Sequence, residues 1–325
     1  MAEIIMDNIT ANYLHLQRLS TEDGPGIRTT VFLKGCSLHC AWCHNPESIS
    51  IKSYLQWFEQ LCIGCQTCVL SCPNESLSME NGKLRIDRNR CRTCGVCVNA
   101  CPANALELLG KRTTVEEMSQ ELLKDSAFFK KSSGGVTLSG GEPALQPEFC
   151  AALLNSLQEQ GIHTALDTCG NVPRKNLAMI LPYTNLVLYD LKIMDTREHQ
   201  RFTGAGNELI LENLIWLGAY LKQEFPEVKI WIRTPLIPGA SASKQNLQAI
   251  AIFLNENLNG KVERWELCAF NNLCRDKYER LNLHWDYSEQ TLMTPEELLE
   301  CEGWAKEVYA NPRSVFVSGA THSNR

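Results

Sequence analysis

The arrangement of cysteines constrains this chain more than any other feature of its sequence. Eight of the sixteen cysteines lie in two runs that both read C-x2-C-x2-C-x3-C-P. This is the bacterial ferredoxin spacing, in which the fourth cysteine of each run ligates the cluster of the other run. The sequence therefore predicts two 4Fe-4S clusters, one held by Cys62, Cys65, Cys68 and Cys101 and the other by Cys91, Cys94, Cys97 and Cys72.

Two alternatives apply to this cysteine-rich segment. A zinc-binding insert or a disulfide-stapled insert would also use many cysteines, but the doubled spacing and the proline after each run favour iron-sulfur clusters. The sequence leaves open whether the two clusters relay electrons or have a structural and docking role.

A third group of cysteines, Cys36, Cys40 and Cys43, follows a different rule. Their C-x3-C-x2-C spacing places three thiolates on one short loop, one fewer than a closed iron-sulfur or zinc site requires. A 4Fe-4S cluster held by three thiolates keeps one iron free to bind a substrate. A zinc knuckle, or three cysteines buried in a core, is the alternative for this spacing.

Length and charge limit the class of protein. At 325 residues the chain is long enough for one large α/β domain with a smaller insertion. Its net charge of -6, without a basic block, predicts no nucleic-acid partner. The segment Met1–Asp7 lacks the pattern of a signal peptide, and no run of about 18 apolar residues predicts a membrane span. We therefore expect a cytoplasmic protein whose clustered cysteines bind metal.

Outside the cysteine-rich segment, apolar β-rich runs alternate with amphipathic helical stretches. This pattern predicts repeated βα units around a parallel sheet. The predicted strands are Thr29–Leu33, Val136–Ser139, His163–Asp167, Leu186–Lys192, Lys229–Thr234 and Glu263–Phe270. The clearest predicted helices are Thr114–Lys130, Pro147–Gln160, Asn207–Glu224 and Pro295–Tyr309, the last with Thr294 as its N-cap.

Several polar motifs directly follow predicted strands. In parallel βα sheets ligands bind beyond the carboxyl ends of the strands, so these motifs are candidate site residues. They are Ser139-Gly140-Gly141-Glu142, Asp167-Thr168-Cys169-Gly170 and Asp190-Leu191-Lys192. A simple turn at the glycines, and helix caps or surface ion pairs at the aspartates, are the alternatives.

The order of these motifs along the chain is specific. The three-cysteine loop, Gly-Gly-Glu, Asp-Thr-x-Gly and Asp-Leu-Lys are followed by Arg233 and by Ile237-Pro-Gly239, and the loop itself continues into His44-Asn-Pro-Glu47. Together they resemble the glycyl radical enzyme activating enzymes, relatives of the pyruvate formate-lyase activase. The resemblance implies an α/β fold, an incomplete (β/α)6 TIM-like radical S-adenosylmethionine barrel built from residues 1–51 and 109–325. It also implies that residues 52–108 form an inserted ferredoxin-like α+β domain.

The resemblance also implies roles for individual residues. The cluster on Cys36, Cys40 and Cys43 would bind S-adenosylmethionine, and the 5'-deoxyadenosyl radical would remove the α-hydrogen of a glycine on a partner enzyme. The amino end of the methionine would lie on Gly140, Gly141 and Glu142, and a monovalent cation would lie beside its carboxylate. The residues implied for that cation are Asp167, Thr168, Leu188 and Asp190. Those implied to order the ligand are Lys192 and Arg233.

Three further positions complete the candidate site. Asp23 resembles the residue that meets the glycine-bearing loop, with a turn residue as the alternative. Trp42 shields the cluster or packs on the nucleoside, with core packing as the alternative. Asn271 stands where many activating enzymes have a histidine; it can hydrogen-bond a nucleoside but cannot take up a proton. Four scattered cysteines, Cys150, Cys169, Cys268 and Cys301, are interpreted as core or ordinary residues, with Cys169 as an exception because it falls inside the candidate site.

The implied partners are a large glycyl radical enzyme and an electron donor such as flavodoxin or ferredoxin. The unusual stretch from Phe270 to Cys274 favours an arylacetate decarboxylase or a fumarate-adding enzyme as the client. Two other functions stay open from the sequence. One is a radical S-adenosylmethionine enzyme acting on another peptide or a small molecule, and the other is a ferredoxin-like electron-transfer protein.

Overall fold

The computed structural model describes residues 9–258 and 260–319. The segment Met1–Asp7 lies outside the described residues. The strands are β1 (Thr10–Ser20), β2 (Arg28–Leu33), β3 (Tyr54–Trp57), β4 (Leu77–Glu80), β5 (Lys83–Ile86), β6 (Leu106–Leu109), β7 (Lys111–Thr114), β8 (Gly135–Gly140), β9 (His163–Thr168), β10 (Leu186–Asp190), β11 (Lys229–Leu236), β12 (Val262–Ala269) and β13 (Val315–Ser318).

Short and long helices connect these strands. They are α1 (Pro46–Ile49), α2 (Thr67–Leu70), α3 (Val96–Ala100), α4 (Val115–Leu123), α5 (Ser126–Ser132), α6 (Pro147–Glu159), α7 (Arg174–Ile180), α8 (Thr196–Thr203), α9 (Glu208–Glu224), α10 (Lys244–Asn257), α11 (Arg275–Leu281) and α12 (Pro295–Val308). No helix in the described ranges is both long and apolar enough to cross a membrane.

Nine strands form one sheet in the order β13-β12-β11-β10-β9-β8-β2-β1-β7. Seven neighbouring strands of this sheet, β2 and β8 to β13, run parallel. β1 is antiparallel to both β2 and β7. All six predicted strands are present within this sheet. The parallel α/β architecture predicted from the alternation of apolar runs is therefore confirmed.

The parallel strands are buried along their length, as expected for a sheet covered by helices. Every residue of β2 is buried, and so are most residues of β8 and β10. The main apolar core lies between the sheet and the outer helices, and it contains Leu138, Leu153, Ile232 and Trp265. This packing fixes the strand ends, where the polar motifs lie.

The structure corrects two details. The predicted helix Thr114–Lys130 is two helices, α4 and α5, with a break at Lys124 and Asp125. The Asp125 side chain turns inward there, where it accepts hydrogen bonds from Arg18 and from Thr29 Oγ1. In addition, β1, β7 and β13 of the large sheet were not predicted from the sequence.

The cysteine-rich segment has strands of its own. β3 pairs with β6 and β4 pairs with β5, each as a separate two-stranded antiparallel sheet. A small apolar core, built around Leu55, Leu77, Leu84 and Leu106, lies within this segment. Tyr54 and Leu109 are opposite each other in the β3–β6 pair, so the two ends of the segment are neighbours.

Candidate functional site

A cavity of about 360 Å³ lies at the carboxyl ends of the parallel strands. Twelve of the residues predicted for the site line it, and the three exceptions are Asp23, Glu142 and Leu188. They are Cys36, Cys40, Trp42, Cys43, Gly140, Gly141, Asp167, Thr168, Asp190 and Lys192, joined by Arg233 and Asn271 from the last strands. The sequence order of distant motifs thus becomes one concave surface, at the place where α/β proteins bind ligands.

The three-cysteine loop is held by backbone hydrogen bonds to α8 and α1. The amides of His39 and Ala41 donate to the carbonyls of Thr203 and Phe202 at 2.7 and 2.8 Å, and the Cys36 amide donates to the Ile49 carbonyl at 2.9 Å. Burial raises the pKa of Cys40 to about 12 and also raises that of Cys43. Thiols in such surroundings ionise when a metal takes the thiolate, so this donor set fits an iron-sulfur cluster.

Trp42 lies between two of these cysteines and is 6% exposed. Its ring packs edge-on against Tyr287, with centroids 6.5 Å apart, and tilted against Phe202 at 6.1 Å. It also lines the cavity. Both the shielding role and the packing role predicted for Trp42 are therefore compatible with its position.

Gly140 and Gly141 lie where β8 approaches β2. A Cβ on Gly140, whose φ is +113°, would overlap the backbone of Leu33, and a Cβ on Gly141 would overlap the Gly35 carbonyl. Close strand packing alone requires glycine at both positions. Both residues also line the cavity, so backbone groups there are accessible to a ligand.

The structure places the Glu142 carboxylate differently from the prediction. Glu142 is fully buried and is not part of the cavity wall. Its oxygens accept hydrogen bonds from Thr168 Oγ1 at 2.8 and 2.9 Å, from the Cys169 amide at 2.8 Å and from the Ala144 amide at 3.0 Å. Burial raises the pKa of Glu142 while these donors oppose the shift. Because protein donors already occupy it, this carboxylate positions the Thr168–Cys169 loop.

Arg233 connects the carboxylates of three strands or turns. Its guanidinium lies 3.6 Å from Asp167 Oδ2, 3.6 Å from Glu266 Oε2 and 4.0 Å from Asp23 Oδ1. Burial raises the pKa of Asp167 to about 7, against the opposing effect of Arg233. Asp23 does not line the cavity; its Oδ2 accepts hydrogen bonds of 2.6 Å from Ser20 and Thr30, so it also has the contacts of a turn residue.

The candidate cation residues lie on neighbouring strands. Leu188 is the register partner of Asp167, but it is fully buried between β9 and β11 and does not line the cavity. The Asp190 carboxylate forms an ion pair with Lys192, which is 9% exposed. Burial acts to lower the pKa of Lys192, but Asp190 and the neighbouring thiols raise it overall. Among the described residues, no three His, Cys, Asp or Glu side chains form a single-ion site.

Comparison with known proteins identifies the family. A family model described as a 4Fe-4S single cluster domain matches residues 22–172. The (2S)-3-sulfopropanediol dehydratase activating enzyme of Klebsiella oxytoca is 40% identical over 274 residues, which cover 83% of this chain and 84% of the relative. The trans-4-hydroxy-L-proline dehydratase activating enzyme of Clostridioides difficile is 38% identical over 290 residues, covering 87% and 91%.

This chain belongs to the family of glycyl radical enzyme activating enzymes. A third relative, the indoleacetate decarboxylase activating enzyme of Tractidigestivibacter scatoligenes, is 38% identical over 283 residues, 84% of this chain and 87% of that protein. The resemblance stated from the sequence is thereby confirmed, and the chain is a radical S-adenosylmethionine enzyme. The alternative of a ferredoxin-like electron carrier is not supported.

Two small cavities in the cysteine-rich segment of this activating enzyme are each lined by four cysteines. One has Cys62, Cys65, Cys68 and Cys101 in its wall, and the other has Cys72, Cys91, Cys94 and Cys97. Each therefore combines three cysteines of one run with the fourth of the other run. All sixteen cysteines are free in the structure, and four soft donors around each cavity fit a closed cluster.

Two cysteines outside the three-cysteine loop also contribute to the candidate site. Cys169 and Cys268 both line the main cavity, and Cys169 Sγ is 3.8 Å from Ser37 Oγ. Cys268 is half-buried at the carboxyl end of β12 beside Arg233, so it is an ordinary cavity-lining residue and not a core residue. The position of Cys268 just before the end of a predicted strand was the available signal. Asn271 lines the cavity, and its carbonyl lies 3.0 Å from His44 Nε2.

Proposed function

We propose that this activating enzyme converts its partner by reductive cleavage of S-adenosylmethionine in the main cavity. A 4Fe-4S cluster on Cys36, Cys40 and Cys43, when bound, supplies the electron that yields the 5'-deoxyadenosyl radical, which removes the α-hydrogen of a specific glycine on the partner. The single observation that carries the proposal is the shared cavity, which is lined both by the three cysteines and by the glycine and charged motifs.

In this proposal the chain's own residues bind and orient the ligand. Backbone groups of Gly140 and Gly141 receive the amino end of the methionine, while Glu142 holds the adjoining loop in place. Arg233 and Lys192 supply positive charge for the carboxylate, Arg as a planar fork and Lys as a point charge. Oxygens of Asp167, Thr168, the Leu188 backbone and Asp190 are hard donors that suit a monovalent cation. Asn271 faces the nucleoside and Asp23 faces the glycine loop.

The proposal includes the wider architecture. Residues 1–51 and 109–325 form an incomplete (β/α)6 barrel, and residues 52–108 form a ferredoxin-like insert with two auxiliary clusters, three clusters in all. The crossed cysteine walls of the two small cavities support this assignment. A flavodoxin or ferredoxin would supply the electron. A cytoplasmic location is part of the proposal, since the free cysteines require a reducing compartment.

The test is production of 5'-deoxyadenosine by the anaerobically reconstituted, dithionite-reduced protein, with iron counted in the same sample. We expect product and about twelve irons per chain, three cubes of four. The triple variant Cys36→Ala/Cys40→Ala/Cys43→Ala is expected to hold about eight irons and to form no product. Cys301→Ala, a buried cysteine outside all three sites, is the control and should retain both. Product from the triple variant would refute the catalytic assignment.

The client is the second part of the proposal. The stretch from Phe270 to Cys274 keeps an arylacetate decarboxylase or a fumarate-adding enzyme as our hypothesis, and one relative is named for indoleacetate decarboxylase. Other relatives are named for dehydratases. Incubation with purified glycyl radical enzymes of these classes, followed by electron paramagnetic resonance of the glycyl radical, distinguishes them. A radical formed only on a dehydratase would contradict the client hypothesis.

A further inference from the structure

Lys277, a residue of α11, makes three polar contacts with the segment that follows Cys43. Lys277 Nζ donates to the His44 carbonyl at 2.9 Å and to Asn45 Oδ1 at 2.8 Å, and it lies 2.9 Å from Glu47 Oε1. A lysine ammonium has three donors, so all three are used on three residues within one four-residue segment of the chain. Two of the contacts are to groups within two residues of Cys43.

Neighbours of Lys277 on the same helix strengthen the attachment. Tyr278, which is 8% exposed, donates its hydroxyl to the Cys43 carbonyl at 2.9 Å, and its ring stacks on Trp285. The thiol of Cys274 approaches the same carbonyl at 3.8 Å. One face of α11 therefore packs on the carboxyl-terminal side of the three-cysteine loop.

The ion-pair partner of Lys277 is the buried carboxylate of Glu47. The Glu47 side chain is 7% exposed, and its second oxygen, Oε2, has no hydrogen-bond partner among the described residues. Removing one partner of a buried ion pair leaves an uncompensated charge. Without Lys277, the negative charge of Glu47 would lose its direct ion-pair partner, and among the described residues only Lys34, whose ammonium donates to the Glu47 carbonyl, would remain as a nearby cation.

The carboxyl-terminal end of α11 contacts the cysteine-rich segment. The guanidinium of Arg88 donates to the Leu281 carbonyl, and to the Leu55 carbonyl at 3.3 Å. Leu55 lines the cavity of Cys72, Cys91, Cys94 and Cys97, and Arg280 lies over the Phe58 ring at 5.3 Å. The helix is therefore supported by the proposed insert while it holds the three-cysteine loop.

We propose that Lys277 is a positioning residue for the three-cysteine cluster: it fixes the segment from Cys43 to Glu47 and, paired with Glu47, sets the charge that the cluster meets. The inference rests on the proposed function, because it presumes a cluster at these cysteines. A positive charge favours the reduced, more negative state of a cluster, and net charge and hydrogen bonding are the terms by which proteins tune such potentials.

The experiment measures the midpoint potential of the cluster whose electron paramagnetic resonance signal changes when S-adenosylmethionine is added. This response separates it from the auxiliary clusters. In Lys277→Met we expect the potential to fall by ~59 mV, a tenfold change in the one-electron equilibrium constant. Lys277→Arg keeps the charge and should recover at least half of the shift. Lys222→Met, an exposed lysine on α9, is the matched control and should leave the potential unchanged.

A second variant keeps the inference testable if Lys277→Met does not retain its iron. Glu47→Gln removes the negative charge and leaves Lys277 in place, so we expect its potential to rise. An unchanged potential in Glu47→Gln, or in an iron-replete Lys277→Met, would overturn the inference. If the wild-type protein has no signal that responds to S-adenosylmethionine, the proposed function fails instead, and the two failures are distinguishable.

Discussion

Arg28 and His163 show how single buried residues couple charge to stability in this protein. Arg28 is fully buried, and its guanidinium donates to Thr137 Oγ1 at 2.6 Å and to the Val136 carbonyl at 2.7 Å. A third contact, 3.3 Å, joins Arg28 Nη1 to His163 Nδ1. Because the Arg28 guanidinium can only donate, His163 Nδ1 accepts this hydrogen bond and carries no proton. His163 is therefore neutral in the folded protein.

This arrangement predicts a loss of stability in acid. Burial and the charge of Arg28 lower the pKa of His163 from 6.5 to about 4. Between these values the unfolded chain binds more protons than the folded one, so stability falls as the pH decreases from 6.5 towards 4. Because His163 is only half-buried, we discount the shift for solvent and expect a contribution of about 1–2 kcal/mol.

The measurement is the urea midpoint of the wild type and of His163→Gln at pH 7.5 and at pH 5, under anaerobic conditions. The acid-induced loss should be smaller in His163→Gln, because glutamine does not titrate. Comparing two variants cancels effects of acid on the clusters, which both proteins share. An equal loss in both proteins would show that His163 is not the group responsible.

Residues were predictable from the sequence where spacing alone carries the chemistry. The cysteines illustrate this, because ligand spacing is nearly independent of the surrounding fold. Sequence spacing does not show where a carboxylate points. Only the fold shows that the Glu142 oxygens accept hydrogen bonds from Thr168 Oγ1 and from the Cys169 amide. Lys277 was missed for the same reason, since it is over 230 residues from the loop it holds.

At the scale of elements, the approach of β8 to β2 leaves no room for a side chain at the cavity end of this strand pair. Their register runs from the Arg28–Gly135 pair to the Leu33–Gly140 pair, where the cavity begins. Gly140 and the next residue, Gly141, have no side chains. This allows β8 to pack closely against β2 and against the start of the cysteine loop. Packing and ligand access therefore depend on the same two positions.

Gly140→Ala is expected to be severely destabilising. The new Cβ would overlap the Leu33 backbone, and the residue has a φ of +113°, which side chains rarely adopt. We expect a loss of more than about 3 kcal/mol, because backbone atoms cannot move aside as a flexible side chain can. Thermal unfolding of the reconstituted protein measures it.

Gly239→Ala is the matched control for this prediction. Gly239 also has a positive φ, +76°, but a Cβ there would meet no atom within 4 Å. Only the conformational strain remains, about 1 kcal/mol. If both variants lose the same stability, backbone strain and not the contact between β8 and β2 would be the cause.

Elements were predictable when their apolar pattern was long. The six predicted strands and three of the four helices are present within a few residues, because burial on both faces gives continuous apolar runs. β7 and β13 have four residues each, too few for a period to be recognised. The break between α4 and α5 depends on Arg18, a residue of β1 that no local pattern connects with Asp125.

At the scale of the whole molecule, the two cysteine runs are tied to each other. Each small cavity takes its fourth cysteine from the other run, so the proposed clusters would each bridge both halves of the segment. Such a bridge shortens the loops available to the unfolded chain, much as a crosslink does. Folding of the segment and metal loading are then a single process.

The crossed assignment predicts different iron contents for two double variants. Cys62→Ala/Cys101→Ala removes two ligands from one cavity, so about eight irons should remain. Cys62→Ala/Cys72→Ala removes one ligand from each cavity and so weakens both auxiliary clusters, and its iron content after gel filtration should be below that of the first variant, between about four and eight. The two variants delete the same number of thiols. The opposite order would mean that each run holds its own cluster.

The pairing of Tyr54 with Leu109 has a consequence for how such a gene can change. The chain leaves and returns through neighbouring strands, which lie about 5 Å apart in any sheet. An in-frame excision of everything between them would leave two ends that a tight turn can join. The large sheet would lose no strand, whereas α11 would lose its contact with Arg88. Gain or loss of the cysteine-rich segment therefore requires only a single in-frame change, so this segment and the large sheet can diverge at separate rates.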